Sequence, residues 1–186
     1  MAFWTDNRVE PKRRFRFLMD ITPAGEANRI ASFFVRTSTK PNFQMDGTGA
    51  VKFIQHTFKY PGRITWQPIS VTILDPVLPD SAAILMNILN NSGYTKPDDE
   101  RNALQSISKA GANQAMGTIF LRQIDAEGRD IEEWKLWNPF LTQVDFGNVG
   151  YDDDALVEYT LTIDYDYATL KSLGTPGVNA GVSTPE

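Results

Sequence analysis

The chain has 186 residues, 41% of them hydrophobic, which is enough for one well-packed domain and short for two. A net charge of −5 and an isoelectric point near 4.9 argue against a protein that grips nucleic acid by its phosphates. The absence of cysteine removes disulfides, thiolate metal sites and a cysteine nucleophile together.

No apolar run is long enough to span a bilayer, and Met1–Arg8 lacks an apolar signal core. The chain is therefore expected to stay in the compartment where it is made, with no membrane anchor. Residues 1–12 read as a polar arm in which Phe3 and Trp4 stand out. An aromatic pair there suits docking onto this domain or a neighbouring copy; a loosely packed terminus is the plain alternative. Arg13 to Ile21 alternates as a strand, with Phe15, Phe17, Met19 and Ile21 on one face and Arg14, Arg16 and Asp20 on the other. A second strand is expected from Ile30 to Ser38, ended by Lys40-Pro41-Asn42. Met45-Asp46-Gly47-Thr48-Gly49 has the wrong spacing for a phosphate loop and no helix after it.

The centre of the sequence is Val51 to Asp75. Two runs rich in β-branched and aromatic residues flank Lys59-Tyr60-Pro61-Gly62-Arg63. The Pro-Gly pair predicts a type II turn, and hence a hairpin with strands near 51–58 and 64–74. Ile69, Val71 and Ile73 alternate with Ser70 and Thr72, so one face of the second strand is dry; Pro68 marks an edge or a bulge.

After Asp75-Pro76 the period becomes helical. Asp80 or Ser81 caps a helix running to about Asn90, with an apolar stripe of Ile84, Leu85, Ile88 and Leu89. Pro97 is expected to open a second helix closed by Gly111. Its first turn holds Asp98, Asp99 and Glu100, carboxylates that the helix dipole already explains without a metal. Strands resume at Met116 to Asp125, turn at Ala126-Glu127-Gly128-Arg129, and return over Asp130 to Trp137. A shorter strand, Thr142 to Val149, leads to the acidic loop Asp152-Asp153-Asp154, best taken as a solvated turn. The last strand, Ala155 to Tyr167, has the cleanest alternation. Val157, Tyr159, Leu161, Ile163 and Tyr165 face one way, and Glu158, Thr160, Thr162, Asp164 and Asp166 the other. The predicted fold is mainly β (α+β): an antiparallel β-barrel or two-sheet sandwich with a flanking helix. Its parts are an N-terminal arm (1–12), a β domain (13–170) with a helical insert (78–111), and a flexible tail (171–186).

Chemistry-bearing patterns are missing. His56, the only histidine, sits in a predicted strand without a Ser–Asp partner at motif spacing. No nucleophile elbow, zincin or phosphate-loop motif occurs. Neighbouring carboxylates such as Glu132 and Glu133 point to opposite faces of a strand, and Asp164 and Asp166 share an open polar one. Arg13-Arg14-Phe15-Arg16-Phe17 puts its arginines and aromatics on opposite faces, unlike a nucleic-acid platform. No catalytic residue, cofactor or metal is expected.

The order of motifs resembles a known family. It runs from Thr37-Ser38-Thr39-Lys40-Pro41 to the Pro-Gly hairpin with Trp66, then the helix after Asp75-Pro76, a Gly-turn hairpin, Leu136-Trp137-Asn138-Pro139, and Leu161-Thr162-Ile163-Asp164-Tyr165. From about Arg13 to Tyr167 this resembles tail tube proteins of contractile-tailed bacteriophages. More distantly, it is similar to tube proteins of type VI secretion and extracellular contractile injection systems. The resemblance implies a structural virion protein, not an enzyme, made in the host cytoplasm and assembled into the tail. Its copies would form hexameric rings stacked into an inner tube that conducts DNA without sequence-specific binding. The implied partners are itself, the tail sheath protein, and the baseplate and tail terminator proteins. On this basis Glu158, Asp164 and Asp166 are lumen-lining candidates, with the outside of the barrel as the alternative place for that face. Phe3, Trp4, Tyr60, Pro61 and Arg63 are inter-subunit candidates. The alternatives are a baseplate-proximal tube initiator, a bacterial injection-system tube, a small-ligand-binding β-barrel, and an enzyme built on converging carboxylates.

Overall fold

Side chains that alternate between apolar and polar favour strands with one dry face. Twelve strands and two helices are present among the residues described by the computed structural model (11–23, 34–47, 49–97, 104, 106–152 and 154–172). Eight strands form two four-stranded antiparallel sheets. Sheet I has the order β1 (Phe17–Thr22), β8 (Thr118–Ile124), β9 (Asp130–Trp137), β12 (Tyr167–Ser172). Sheet II has the order β10 (Phe140–Asp145), β11 (Glu158–Asp164), β7 (Ile69–Leu74), β2 (Val35–Ser38). Met19, Ile21, Ile119, Leu121 and Leu136 of sheet I and Ile69, Val71, Ile73, Leu161 and Ile163 of sheet II make one buried core. Each such side chain contributes roughly 2 kcal/mol on leaving water. The mainly β fold with antiparallel sheets and a flanking helix is the one expected from the sequence.

Helix α1 (Ser81–Asn91) forms for the expected reason. The Asp80 carboxylate accepts from the Ala83 N–H at 3.1 Å, and Ile84, Leu85 and Ile88 turn into the core. Helix α2 (Lys109–Met116) corrects the second helix. It begins where the sequence suggested an end, because Ser108 Oγ caps the Gly111 N–H at 3.0 Å. Gly111 is there for close approach: a Cβ would stand 2.9 Å from the Ser92 carbonyl oxygen. Of the expected helix, positions 98–103 and 105 lie outside the described residues, and Leu104 is exposed. Gly117 joins α2 to β8 at φ +69, directly under the Thr22 carbonyl of β1.

Strand boundaries also shift, and the strand expected over Thr142 to Val149 is β10, Phe140–Asp145, which ends where Asp145 pairs with Thr160 of the next strand. Phe15 is 76% exposed in a turn, because β8 ends at Ile124 and β1 finds its first partner only at Phe17, opposite Gln123. Of the second strand, expected over 30–38, positions 30–33 lie outside the described residues and Val35–Ser38 are β2. The final run is two strands. After Asp164 the chain passes through Tyr165 and Asp166 into β12 of the other sheet, and the buried phase slips from Tyr165 to Ala168. The Asp166 N–H donates to the Trp137 carbonyl at 3.0 Å, which fixes the crossing.

The largest correction concerns the central hairpin. Strand β7 pairs with β11 and β2, not with the 51–58 run. Pro68 cannot donate to a ladder and separates β7 from β6 (Ile64–Gln67). The hairpin is a long two-stranded arm made of β3 (Asn42–Met45) against β6, then β4 (Gly49–Phe53) against β5 (His56–Tyr60). Its tip is Ile54-Gln55, with Ile54 at φ 53. Pro61-Gly62-Arg63 lies midway along the returning limb. Gly62 is needed there because a Cβ would meet the Asp46 carbonyl oxygen of the outgoing limb at 2.8 Å.

Candidate functional site

Register gives the arm two unlike faces. Val51 opposes Phe58, Phe53 opposes His56, and Gly49 opposes Tyr60, so these side chains share one face. Ala50 with Lys59 and Lys52 with Thr57 occupy the other. Nearer the body, Phe43 opposes Trp66 and Met45 opposes Ile64. Trp66 anchors the arm, with ring centroids 5.4 Å from Phe43 and 6.0 Å from Tyr165. Burial, joined by the charge of Asp164, pushes the Tyr165 hydroxyl up to about 12, so it stays neutral. Beyond that anchor nothing in the described chain covers the apolar face. Val51, Phe53, Phe58 and Tyr60 are each more than half exposed, and Ile54 is 87% exposed. A two-stranded ribbon of this kind is marginal alone in water and calls for a partner surface.

A second uncovered surface is the connection from β10 to β11. Val149, Tyr151 and Leu156 are strongly exposed, beside the exposed carboxylates Asp152 and Asp154. The sheets themselves end in open borders among the described residues: β1 and β12 in sheet I, β10 and β2 in sheet II. Strand β2 is short and bulged at Arg36, and β10 is bulged at Thr142.

The structure separates the acidic candidates. Glu158 opens β11 and is ion-paired with Arg36. Asp164 closes the same strand and accepts from the Tyr165 N–H at 2.8 Å. Asp166 lies past the strand, bonded to Lys109 at 2.7 and 2.9 Å and to Asn138 at 2.7 Å, contacts that lower its pKa. Between Glu158 and Asp164 the outer face of sheet II is hydroxylic. Thr37, Thr72 and Thr160 form one cross-strand row, and Ser70 with Thr162 the next. Of the other candidates, Tyr60, Pro61 and Arg63 are exposed on the arm, whereas Phe3 and Trp4 lie outside the described residues.

A half-open cleft of about 770 Å³ lies beside β1, β2 and β9, with Phe17, Leu121 and Trp134 in its lining. Its buried acid is Glu132. Burial favours the neutral form, but hydrogen bonds from Lys12, Lys40 (2.7 Å) and Trp134 (2.5 Å) outweigh it and hold the carboxyl at about 2. Lys40 also donates to Gln123 at 2.7 Å, and the Gln123 amide donates to the Arg13 carbonyl at 3.1 Å. These groups satisfy one another. They tie the N-terminal segment and the base of the arm to sheet I, a role the sequence did not signal because the lysines are 120 and 92 residues from Glu132.

No protein-family model matches the chain, and no curated protein matches it. Solved structures do. A chain of the anti-feeding prophage tube-terminating cap aligns with TM-score 0.60 and 18% identity, over 92% of this chain and 99% of that one. A chain of the six-fold symmetrised anti-feeding prophage baseplate aligns with TM-score 0.59 and 10% identity, over 90% and 99%. A chain from the extended sheath–tube complex of an extracellular contractile injection system gives TM-score 0.59 and 16% identity, over 88% and 93%. The tube-type fold expected from the sequence is thus the fold this chain shares with components of contractile injection systems.

Proposed function

We propose that this chain is the repeating subunit of an inner tail tube, closing into rings of six that stack into a hollow conduit. The observation that carries this is the arm: an amphipathic ribbon whose apolar side is bare in the single copy. The open borders of both sheets supply further surfaces that identical copies would complete. The fold shared with cap, baseplate and sheath–tube chains supports partners of the same kind: further copies, a sheath subunit, and proteins at the two tube ends. The role is structural and not enzymatic. In a contractile-tailed phage the conduit would deliver DNA; a bacterial injection apparatus is the neighbouring alternative. The hydroxylic outer face of sheet II suits a bore wall, since it offers cargo few cations to cling to.

The small-ligand alternative would use the cleft beside Glu132, but that acid already bonds Lys12, Lys40 and Trp134 and offers no spare polar group to a guest. Light scattering and negative-stain microscopy of the purified chain test the proposal. Rings or tubes of constant diameter are expected. Monodisperse monomers at high concentration would refute it.

A further inference from the structure

We infer that the cleft beside β1, β2 and β9 is the seat of this chain's own N-terminal segment, with Phe3 and Trp4 as the side chains that fill it. The inference does not rest on the tube reading. What carries it is a tether. Lys12 hydrogen-bonds Glu132, and the Arg13 carbonyl accepts from Gln123 at 3.1 Å; both partners line the cleft. Residues 1–10, which lie outside the described residues, are therefore joined to the cleft wall through Pro11. Trp4 stands eight positions before Lys12. Eight such steps reach about 28 Å at most, whereas a round space of about 770 Å³ is only ~11 Å across, so the pair can turn back into it.

The lining selects this occupant. Its apolar part is largely aromatic: Phe15 is left 76% exposed, and Phe17 and Trp134 are half-buried. Its buried polar part is already satisfied, because Lys12, Lys40 and Trp134 all bond Glu132. A guest therefore gains by filling space and meeting rings, which two adjacent aromatic side chains do. Arg14, also in the lining, is exposed and has no ion-pair partner among the described residues. Asp6 and Glu10, between the aromatic pair and the tether, supply the missing counter-charge. A neighbouring copy carries the same groups, but a short tether gives the chain's own segment an effective concentration in the millimolar range. Lys40 leads into β3, so a filled cleft also props the base of the arm against sheet I.

The test uses the absence of native cysteine. Thr5→Cys with Ser38→Cys puts one thiol beside the aromatic pair and one in the cleft lining. Thr5→Cys with Thr57→Cys puts the second thiol out on the arm instead, as a control. Each full-length chain is oxidised at micromolar concentration and run on non-reducing denaturing gels. The cleft pair should close within one chain about tenfold faster than the arm pair, or more. Adding Phe3→Ser and Trp4→Ser should slow that closure about tenfold while circular dichroism stays unchanged. This step separates seating from mere nearness, since the tether is intact. Equal rates for the two pairs, or no effect of the serine changes, would overturn the inference. So would linked dimers in place of closed monomers, which would give the cleft to a neighbour's segment.

Discussion

Replacing Glu132 with Gln probes the polar cluster that holds the N-terminal segment and the base of the arm on sheet I. The amide keeps the size of the side chain and can still accept from Trp134, but it leaves Lys12 and Lys40 without a counter-charge. In the folded chain the carboxyl titrates at about 2 instead of 4.5. That difference corresponds to about 3 kcal/mol at ~1.36 kcal/mol per pKa unit. Lys12 and Lys40 are 51% and 48% exposed, so water and salt screen part of it, and about 2 kcal/mol is the figure expected at pH 7. For a chain of this size the melting temperature should fall by roughly 4–8 °C. The sign follows from linkage. A folded pKa below the ordinary value stabilises the protein above pH 4.5, and that stabilisation disappears as the pH falls towards 2. Urea titrations of wild type and Glu132→Gln at pH 7, 4 and 3 read this directly. The gap should be widest at pH 7 and narrow steadily on acidification. Other acids, such as Asp166, contribute equally to both proteins, so the difference isolates Glu132. Equal stabilities at pH 7, or a gap that does not change with pH, would refute the ion-pair account.

Other consequences follow from single positions. Gly117→Ala should cost about 3 kcal/mol or more, because the new methyl group would lie 2.0 Å from the Thr22 carbonyl oxygen at a φ few side chains adopt; chemical denaturation measures it. Phe53→Ser with Phe58→Ser should change subunit stability by less than ~0.5 kcal/mol, since both rings are exposed, yet prevent assembly visible by light scattering. A cysteine at Thr160 would be unique in this chain, and an electron-dense thiol reagent attached there should appear inside the bore in tube images. Density on the tube exterior would reverse the assignment of sheet II.

The sequence made the core legible because burial follows its alternation. Ile69, Val71 and Ile73, and Tyr159, Leu161 and Ile163, are buried where period two places them. Helix α1 was legible from its cap and stripe. The arm was misread at its turn. Pro-Gly is the strongest local punctuation in that stretch, whereas the real tip, Ile54-Gln55, carries no turn residue. The remaining clue was symmetry: Val51 and Phe53 on one side of the tip mirror Phe58 and His56 on the other. Strand β12 was hidden because alternation continues through Tyr165 while the chain changes sheet, a tertiary event with no local residue signature. The acidic face of the last strand was only half legible. Sequence shows the carboxylates, but the cations that neutralise Glu158 and Asp166 come from Arg36 and Lys109, far along the chain.

In the proposed tube, each subunit is unfinished alone and is completed by its own copies. Cryo-electron microscopy of the purified chain at rising concentration measures that most directly. Hollow rings or tubes are expected, with the β4–β5 arm of each copy buried against a neighbour. Isolated subunits at the highest concentration, or rings in which that arm stays in solvent, would contradict it.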